Sequence, residues 1–359
     1  MRGKQTGLFW KGKNVFITGH TGFKGSWLAM VLKHFGARVS GYALDPPTKP
    51  SLFGLAEAEE GMRSFISDIR DYESLQTSLR SAEPEIIFHL AAQPIVLESY
   101  KDPLGTFSTN IMGTANLLQA ARFIPSVRAI VIITTDKCYE NKEWIWPYRE
   151  ADRLGGYDPY SSSKACTELI ASSMRNSFFN PARYDEHGVL LATVRAGNVI
   201  GGGDWAKDRL VPDIIRAFIK NENVTLRNPT AVRPWQHVFE PLSGYMLVAE
   251  KLYAGDVKTA GAWNFGPDDK DAKPVEWIVK TMCDLWGSES SYNIEKQENA
   301  HEAHYLRLDW SKARTYLDWS PEWNLETALK RTIDWYLVYK NCGDIKDICR
   351  RQIEEFFNT

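Results

Sequence analysis

The sequence lacks the features that mark several protein classes. Its five cysteines among 359 residues are scattered and include no C-x-x-C pair, so neither a disulfide framework nor a metal site is expected. No apolar run approaches the roughly 20 residues of a membrane span. The apolar run nearest the amino terminus, Leu8–Trp10, is too short for a secretory signal. These absences predict a protein of the reducing cytoplasm with no membrane partner.

An excess of charge of one sign is also lacking. The chain has 43 basic and 45 acidic side chains, so it has no positive field with which to hold nucleic acid. Tryptophan is scarce before residue 140, where only Trp10 and Trp27 of the 13 occur. The length suffices for about two structural units. We therefore expect two parts of different character.

The first 195 residues alternate short β-branched runs with longer amphipathic stretches. The predicted strands are Lys13–Thr18, Arg38–Ala43, Glu85–Leu90, Arg128–Thr134 and Val189–Arg195. The predicted helices are Gly22–Phe35, Asp71–Ser81, Thr109–Phe123 and Pro159–Phe178. Because such alternation builds right-handed βαβ units, it predicts an α/β fold with a doubly wound parallel sheet of the Rossmann type over residues 1–195.

This rhythm ends after residue 195. Gly197–Asp208 is rich in glycine. The helices predicted beyond it are Leu210–Lys220, Glu240–Tyr253, Pro274–Trp286 and Asn324–Tyr339. We expect residues 196–359 to form mainly a smaller mixed α/β lobe that binds a substrate, with segments such as 236–260 returning to the first domain. The cleft between the two parts is then the expected site.

A glycine-rich turn joins the first predicted strand to the first predicted helix. Its G-x-x-G-x-x-G spacing is a variant of the dinucleotide fingerprint. Glycine lets the backbone approach a pyrophosphate, whose charge then lies at the helix amino terminus. The cofactor-binding residues predicted here are Gly19, Thr21, Gly22, Phe23, Lys24 and Gly25.

Asp45 follows Gly25 by 20 residues, at the end of the second predicted strand. A carboxylate there accepts hydrogen bonds from ribose hydroxyls and repels a 2′-phosphate, which favours NAD over NADP. The alternative is that Asp45 is a turn residue before the two prolines that follow it. Further cofactor contacts are predicted at Asp68, Ile69, Ala91, Ala92, Gln93 and Thr109.

Tyr160 and Lys164 form a Y-x-x-x-K motif, whose spacing places both side chains on one helix face. A phenol needs activation to act as a base, and a cation about 4 Å away contributes about 4 kcal/mol at an effective dielectric near 20. We therefore expect Lys164, with a nicotinamide charge, to lower the pKa of Tyr160.

Thr135, Asp136 and Lys137 follow another predicted strand, so they should reach the same crevice. A simple alcohol oxidation does not need this extra acid and amine. The pair is therefore explained either by a reaction that moves more protons or as solvated surface residues.

Together these motifs resemble the extended short-chain dehydrogenase/reductase family and, within it, the nucleotide-sugar 4,6-dehydratases. Thr135–Lys137 is similar to their Thr-Asp-Glu catalytic triplet, and Tyr160 and Lys164 to their catalytic pair. The features that resemble enzymes acting on CDP-glucose are Gly19–Gly25, Leu44–Phe53, Lys137, Gly197–Asp213 and Arg233–Val238. The resemblance implies NAD as cofactor, CDP-glucose as substrate, and a role in dideoxysugar synthesis for O-antigen and lipopolysaccharide. It also implies a homodimer built from Thr109–Phe123 and Pro159–Phe178.

The resemblance further implies a mechanism. Tyr160 takes the 4-hydroxyl proton as hydride leaves C4, a base removes the C5 proton, Asp136 protonates the departing 6-hydroxyl, and hydride returns to C6. Lys137 departs from the pattern, because most relatives carry Glu there. It acts either as a neutral base or as a cation that stabilises the enolate. The alternatives are a nucleotide-sugar 4-epimerase and a non-catalytic NAD-binding protein of the same fold.

The nucleotide end of the substrate is assigned partly by resemblance, which implies that Asn198 and Arg209 hold the diphosphate and the sugar. Arg233 is a candidate phosphate or ribose partner, because a guanidinium binds such groups through two parallel hydrogen bonds. The other predicted substrate residues are Trp205, Asn264, Glu302 and Tyr305, with Trp235 as a second aromatic wall. Arg195, at a strand end, is a candidate for a structural role.

Overall fold

The computed structural model describes residues 7–226, 228–287, 291–294 and 306–358. The strands are β1 (Asn14–Thr18), β2 (Arg38–Ala43), β3 (Arg63–Ile66), β4 (Ile86–His89), β5 (Ala129–Ile133), β6 (Leu190–Ala196), β7 (Asn198–Ile200), β8 (Val224–Leu226), β9 (Val232–His237), β10 (Ala262–Phe265), β11 (Ala272–Pro274) and β12 (Tyr292–Ile294). Seven of them form one sheet in the order β10-β6-β5-β4-β1-β2-β3, in which every neighbouring pair is parallel. The predicted doubly wound α/β fold is confirmed.

Helices cover both faces of this sheet. They are α1 (Phe23–His34), α2 (Leu52–Leu55), α3 (Tyr72–Ala82), α4 (Val96–Lys101), α5 (Pro103–Phe107), α6 (Gly113–Ala121), α7 (Pro159–Phe178), α8 (Tyr184–His187), α9 (Leu210–Ile219), α10 (Phe239–Tyr253), α11 (Val275–Trp286), α12 (Ser311–Leu317), α13 (Leu325–Lys340) and α14 (Ile345–Phe357). The central strand β5 is buried along its whole length and reads AIVII, as expected of a parallel strand covered on both faces. None of the described helices combines the length and apolar character needed to cross a membrane.

Local capping sets where two helices begin. The carboxylate of Asp158 accepts a hydrogen bond from the Ser161 amide, and proline occupies the first position of α7, which therefore has the predicted bounds. The helix predicted over Thr109–Phe123 begins earlier, because Asp102 caps α5 in the same way. A π-helical turn, Ser108–Met112, then joins α5 to α6.

The later half of the chain contributes both to the large sheet and to smaller sheets. β7, β9 and β11 form a mixed sheet, and β8 pairs with β12. However, α10 packs against β5 and β6, and β10 pairs with β6 as the edge strand of the large sheet. The returning segment, which was expected over residues such as 236–260, therefore extends to Phe265.

The carboxyl-terminal helix α14, which the sequence pattern did not predict, packs back on the first half. The ring of Phe357 lies 5.8 Å from that of Phe35 and 5.5 Å from that of Phe239. Strand β3 and helix α2 were also not predicted. The two halves of the chain consequently share one large hydrophobic core.

Candidate active site

The turn between β1 and α1 has room for glycine alone at two positions. A Cβ atom on Gly19, where φ is +77°, would lie 2.7 Å from the amide nitrogen of Ala91, and one on Gly25 would lie 2.1 Å from the Gly19 carbonyl oxygen. Gly22 caps α1 without a side chain, so no side chain competes for the amides of the first turn. This backbone cradle at a helix amino terminus fits the pyrophosphate of a dinucleotide.

The other residues of the turn connect it to its surroundings. Thr21 is buried and donates a hydrogen bond of 2.8 Å to the carbonyl oxygen of Leu44, which ties the turn to the end of β2. Phe23 approaches the glycine-rich loop of the second half, since a Cβ on Gly201 would lie 3.2 Å from its ring. Asp45 is exposed just beyond β2, where a ribose could reach it.

Asp68 and Ile69 lie in different surroundings: Asp68 carries an ion-paired carboxylate and Ile69 a buried apolar side chain. The guanidinium of Arg70 binds Asp68 through both carboxylate oxygens and holds the pKa of that carboxyl below its usual range. Ile69 is buried, and its side chain packs where a Cβ on Gly113 would lie 2.7 Å away. The Ile69 side chain thus fills the core beside α6, and the cofactor contact expected at this position stays a prediction.

The end of β4 is fixed by Asn110, which the sequence analysis missed. Its side chain accepts from the Gln93 amide at 2.8 Å and donates to the Gln93 carbonyl at 3.0 Å and to Ser163 at 2.8 Å. Asn110 follows the predicted Thr109 in the π-helical turn, and such turns are frequent at functional sites. The Ala91 amide is held by a 3.1 Å hydrogen bond to Thr18, and Ala92 brings only a methyl group to this strand end.

The Thr-Asp-Lys triplet lies just beyond β5. The Thr135 hydroxyl donates to Asp136 at 2.9 Å and lies 3.4 Å from the Lys137 amide. Burial raises the pKa of Asp136, while Lys137, Thr135 and Lys24 oppose this shift. Lys137 is exposed. The triplet thus combines a carboxyl group that resists ionisation with a solvent-facing amine.

Tyr160 and Lys164 lie on α7 and face this triplet. Burial raises the pKa of Tyr160 to about 12, although a hydrogen bond with Thr135 opposes the shift. Burial lowers the pKa of Lys164 to about 8, and its ammonium donates to the Ile133 carbonyl at 3.2 Å. The expected activation of Tyr160 is therefore not achieved by the protein alone, because the cost of burying a phenolate outweighs the nearby charges.

A second polar group lies one helical turn beyond Lys164. Glu168 and Arg195 form a buried ion pair at 2.8 Å, and each side chain is only 3% exposed. Hydroxyls of Thr134 and Thr193 also donate to Glu168, and Arg195 donates to the Tyr139 hydroxyl at 2.6 Å. Burial alone would raise the pKa of Glu168, but Arg195 and the two hydroxyls hold it below its ordinary value. We call these five residues the saturated cluster, and they give Arg195 its expected structural place.

Two predicted substrate residues belong to the packed interior instead. The amide of Asn264 is fully buried and accepts from Tyr139, while it donates to the carbonyls of Tyr148 and Asp309. Its assignment to the substrate pocket is wrong, because β10 is part of the large sheet and the amide is used there. Trp205 is also buried, with its ring 5.2 Å from Tyr336. Trp205 therefore packs in the core, and its contact with the sugar stays a prediction.

The remaining substrate candidates lie on the second half of the chain. Arg209 pairs with Asp204 at 2.9 Å and acts electrostatically on Tyr160, which places it near the reacting groups. Asn198 is the register partner of Trp235 in the smaller sheet, and Arg233 lies on the same strand as Trp235. Glu302 and Tyr305 lie outside the described residues.

One further tyrosine lies against the reacting groups and was missed by the sequence analysis. Tyr245 of α10 is fully buried, and the Lys24 ammonium lies 5.8 Å from its ring centroid. Asp136 and Tyr160 both act electrostatically on its hydroxyl. We call Lys24, Asp136, Tyr160 and Tyr245 the open cluster. Tyr245 lies within the predicted helix Glu240–Tyr253, but no motif in the sequence distinguishes it from the core residues of that helix.

This fold and site define the class of protein. A parallel sheet with a glycine-rich first turn, a Tyr–Lys pair and a Thr-Asp-Lys triplet at its strand ends is typical of an extended short-chain dehydrogenase/reductase. The chain belongs to the GDP-mannose 4,6 dehydratase family, whose model matches residues 16–332. The resemblance to nucleotide-sugar 4,6-dehydratases is thus confirmed.

Individual relatives and solved structures agree with this membership. The chain is 55% identical over 351 residues to CDP-glucose 4,6-dehydratase of Salmonella typhimurium, which covers 98% of each chain. It is 24% identical over 358 residues to dTDP-glucose 4,6-dehydratase of Shigella flexneri, covering 91% of this chain and 93% of that one. The fold matches the NAD-bound dTDP-glucose 4,6-dehydratase DesIV of Streptomyces venezuelae with a TM-score of 0.74 at 22% identity, over 92% and 98% of the two chains.

Proposed function

We propose that this chain is an NAD-dependent nucleotide-sugar 4,6-dehydratase that converts CDP-D-glucose to CDP-4-keto-6-deoxy-D-glucose with loss of water. The observation that carries the proposal is the 55% identity, over 98% of both chains, to the Salmonella CDP-glucose 4,6-dehydratase. The grouping of Thr135, Asp136 and Tyr160 at the end of β5 supports it. We place the reaction in the cytoplasm, in dideoxysugar synthesis for O-antigen and lipopolysaccharide.

NAD, when bound, would supply the hydride acceptor and donor for the sugar. The residues present fit this cofactor: the cradle of Gly19, Gly22 and Gly25 receives the pyrophosphate, and Asp45 receives the ribose hydroxyls. We assign cofactor binding to residues 1–195 with the returning segment, and substrate binding mainly to the rest of 196–359.

The first proton transfer is assigned to Tyr160, which takes the proton of the 4-hydroxyl. Because its pKa is raised to about 12, the phenol is neutral in the protein alone and needs a cation beside it at the moment of transfer. Lys164 lies one turn further along the same helix face and is the protein's own cation for this purpose. Thr135 interacts with Tyr160 and lowers the pKa of its phenol, so it favours the phenolate that takes this proton.

The elimination is assigned to Asp136 and Lys137. The raised pKa of Asp136, caused by burial, favours its role as the acid that protonates the departing 6-hydroxyl. The exposed Lys137 suits a cation that stabilises the enolate formed when the C5 proton leaves, and this is the role that we propose for it. Lys137→Met should slow exchange of the C5 proton with deuterated solvent, whereas Lys142→Met, at a neighbouring exposed lysine, should not. Unchanged exchange in Lys137→Met would exclude both the base and the stabiliser role.

We also propose that two chains pair through α5–α6 and α7. These helices carry the exposed apolar side chains Leu104, Met112 and Leu169, which are 78%, 53% and 59% exposed. Such exposure is typical of an interface between copies of a chain. Light scattering should give the mass of a dimer, and Leu169→Glu should reduce it to that of a monomer.

The proposed activity is tested with purified protein, NAD⁺ and the glucose derivatives of CDP, UDP, dTDP and GDP. We expect a 4-keto-6-deoxy product, detected by its absorbance in alkali, from CDP-glucose and not from the other three. A 4-epimer formed without loss of water would support the epimerase alternative. Absence of turnover with all four nucleotide-sugars would overturn the proposal in favour of a non-catalytic protein.

A further inference from the structure

We propose that Gly197 is a positioning residue of the acid centre. Because Gly197 has no side chain, the carboxyl group of Asp136 keeps the place from which its Oδ2 atom gives a proton to the departing 6-hydroxyl. This inference rests on the proposed function and extends it, because the family resemblance covers the stretch that contains Gly197 but assigns this residue no role.

The close approach of Gly197 to Asp136 is the first observation. A Cβ atom on Gly197 would lie 3.0 Å from Oδ2 of Asp136 and 3.7 Å from its carboxyl carbon. Contacts between nonbonded carbon atoms are most favourable at about 3.5–4.0 Å, so an added methyl group would require a shift. Gly197 does not have the positive φ that would itself require glycine. The contact with Asp136, rather than the backbone conformation, therefore calls for glycine here.

The backbone around Gly197 cannot easily move. Ala196, on one side, ends β6 and is the register partner of Phe265 in the large sheet. Asn198, on the other side, begins β7 and is the register partner of Trp235 in the smaller sheet. Gly197 is therefore the single residue that links strands of two sheets, and a methyl group added to it would press on the neighbouring carboxyl group instead.

The carboxyl group of Asp136 is held in place as well. It is buried, its Oδ1 atom accepts a hydrogen bond of 2.9 Å from the Thr135 hydroxyl, and the backbone carbonyl of Asp136 accepts one of 3.3 Å from the Tyr139 amide. In a neutral carboxyl group, one oxygen carries the proton and the other is the better acceptor. With Oδ1 as the acceptor, the proton of the acid form lies on Oδ2, the oxygen next to Gly197.

The position of Oδ2 matters because the proton has to move as the C6–O bond breaks. The electron pair of the enolate forms the C5–C6 double bond, and the pair of the C6–O bond stays with the leaving oxygen. That oxygen takes the proton from Oδ2 and departs as water, while the electron pair of the O–H bond stays on the carboxylate. A methyl group on Gly197 would displace the acid by a few tenths of an ångström. Because misplacement of a reacting group by about 1 Å can cost about 10²-fold in rate, such a shift should slow this step.

The test compares two leaving groups in Gly197→Ala. With CDP-glucose, we expect turnover to fall about tenfold or more, because the acid is displaced. With CDP-6-deoxy-6-fluoroglucose, from which fluoride departs without a proton from Asp136, turnover should stay within about twofold of the wild-type protein. Gly261→Ala is the control, because a Cβ atom there would lie 3.8 Å from the Lys312 ammonium, and it should leave turnover of both substrates unchanged. Equal slowing of both substrates by Gly197→Ala, or no slowing of either, would overturn the role of Gly197.

A second pair of variants tests the contact without measuring turnover. Asp136→Ala removes the oxygen on which a methyl group at Gly197 would press. Gly197→Ala should therefore lower the melting temperature more in the wild-type background than in the Asp136→Ala background. If Gly197→Ala alone does not fold, the double variant should fold. Equal changes in the two backgrounds, or a double variant that does not fold, would contradict the proposed contact. Failure of the wild-type protein to convert CDP-glucose would instead overturn the proposed function, so the two failures are distinguishable.

Discussion

Two buried polar groups lie on the two sides of Lys164, and they are built in opposite ways. In the saturated cluster, the Glu168 carboxylate receives hydrogen bonds from Thr134, Thr193 and two nitrogens of Arg195. In the open cluster, the Tyr245 hydroxyl lacks a partner within the described part of the chain. The difference is that the carboxylate of one group is fully hydrogen-bonded by its neighbours, whereas the other group contains a buried hydroxyl without a described hydrogen bond.

One helix carries both arrangements. Tyr160, Lys164 and Glu168 follow each other at intervals of four residues on the buried side of α7, so they form one row along the helix. Tyr160 belongs to the open cluster and Glu168 to the saturated one. Lys164 lies between the two clusters. Burial lowers its pKa to about 8, although the charge of Glu168 opposes this shift. The comparison therefore predicts that a mutation at the Tyr160 end of this row lowers turnover, whereas one at the Glu168 end lowers the free energy of unfolding.

The largest effect is expected at Tyr160. Tyr160→Phe should lower turnover by about 10²–10⁴-fold, because it removes the base that takes the 4-hydroxyl proton. The free energy of unfolding should change by only about 1 kcal/mol, since the ring is kept and only the interaction of the hydroxyl with Thr135 is lost. Product formation and urea unfolding measure the two quantities. A loss of stability as large as that from changes in the saturated cluster would remove the distinction between the two groups.

Some parts of this site could be predicted from the sequence, and others could not. The glycine turn and the row on α7 each consist of residues that are close together in the sequence. The bounds of β1, α1 and α7 therefore lie within about one residue of those predicted. The caps Gly22 and Asp158 are local signals too. A site whose parts are set by local turns and helix periodicity is visible before the fold is known.

The parts that could not be predicted depend on pairings between distant segments. Asn264 and Asn198 are both asparagines near strand ends, and only the strand order puts the first inside the large sheet and the second in the smaller one. Tyr245 comes near Tyr160 because α10 packs on β5, a contact that no periodicity specifies. Trp205 faces Tyr336 of α13 for the same reason. Such contacts follow from topology rather than from local pattern.

The next largest effect tests the saturated cluster itself. Glu168→Gln should lower the free energy of unfolding by about 3–5 kcal/mol, because it leaves the buried guanidinium of Arg195 without its counter-charge. Urea unfolding of Glu168→Gln and of the control Glu354→Gln, at a surface ion pair with Arg350, measures the difference, and the control should stay within about 0.5–1 kcal/mol. Adding Arg195→Met should restore part of the loss. If Glu168→Gln left the free energy of unfolding unchanged, the ion pair would not stabilise the fold.

The stability that Glu168 contributes should depend on pH in a defined direction. Its pKa in the folded protein lies below the ordinary 4.5, so the folded state releases this proton more readily than the unfolded state does. The contribution is therefore complete above the unfolded pKa and is lost as the pH falls through the folded pKa. Urea midpoints of the wild type and Glu168→Gln, compared as the pH is lowered, should converge. Curves that stay parallel under acid would show that another group carries the charge effect.

The smallest and sharpest comparison deletes one hydroxyl from each cluster. Thr193→Val removes one of the donors to Glu168 and keeps the β-branched shape that strand β6 favours, so it should cost about 1.5–3 kcal/mol, the value of a hydrogen bond to a charged group. Tyr245→Phe should leave the free energy of unfolding unchanged or raise it, because its hydroxyl makes no hydrogen bond to the described residues. Urea unfolding of both variants under the same conditions gives the two values. Each change removes one hydroxyl oxygen from a buried site. Equal losses of unfolding free energy would show that the two clusters do not differ in how well their polar groups are hydrogen-bonded. A loss in Thr193→Val with none in Tyr245→Phe would show that the hydroxyl of the saturated cluster stabilises the fold and that of Tyr245 does not.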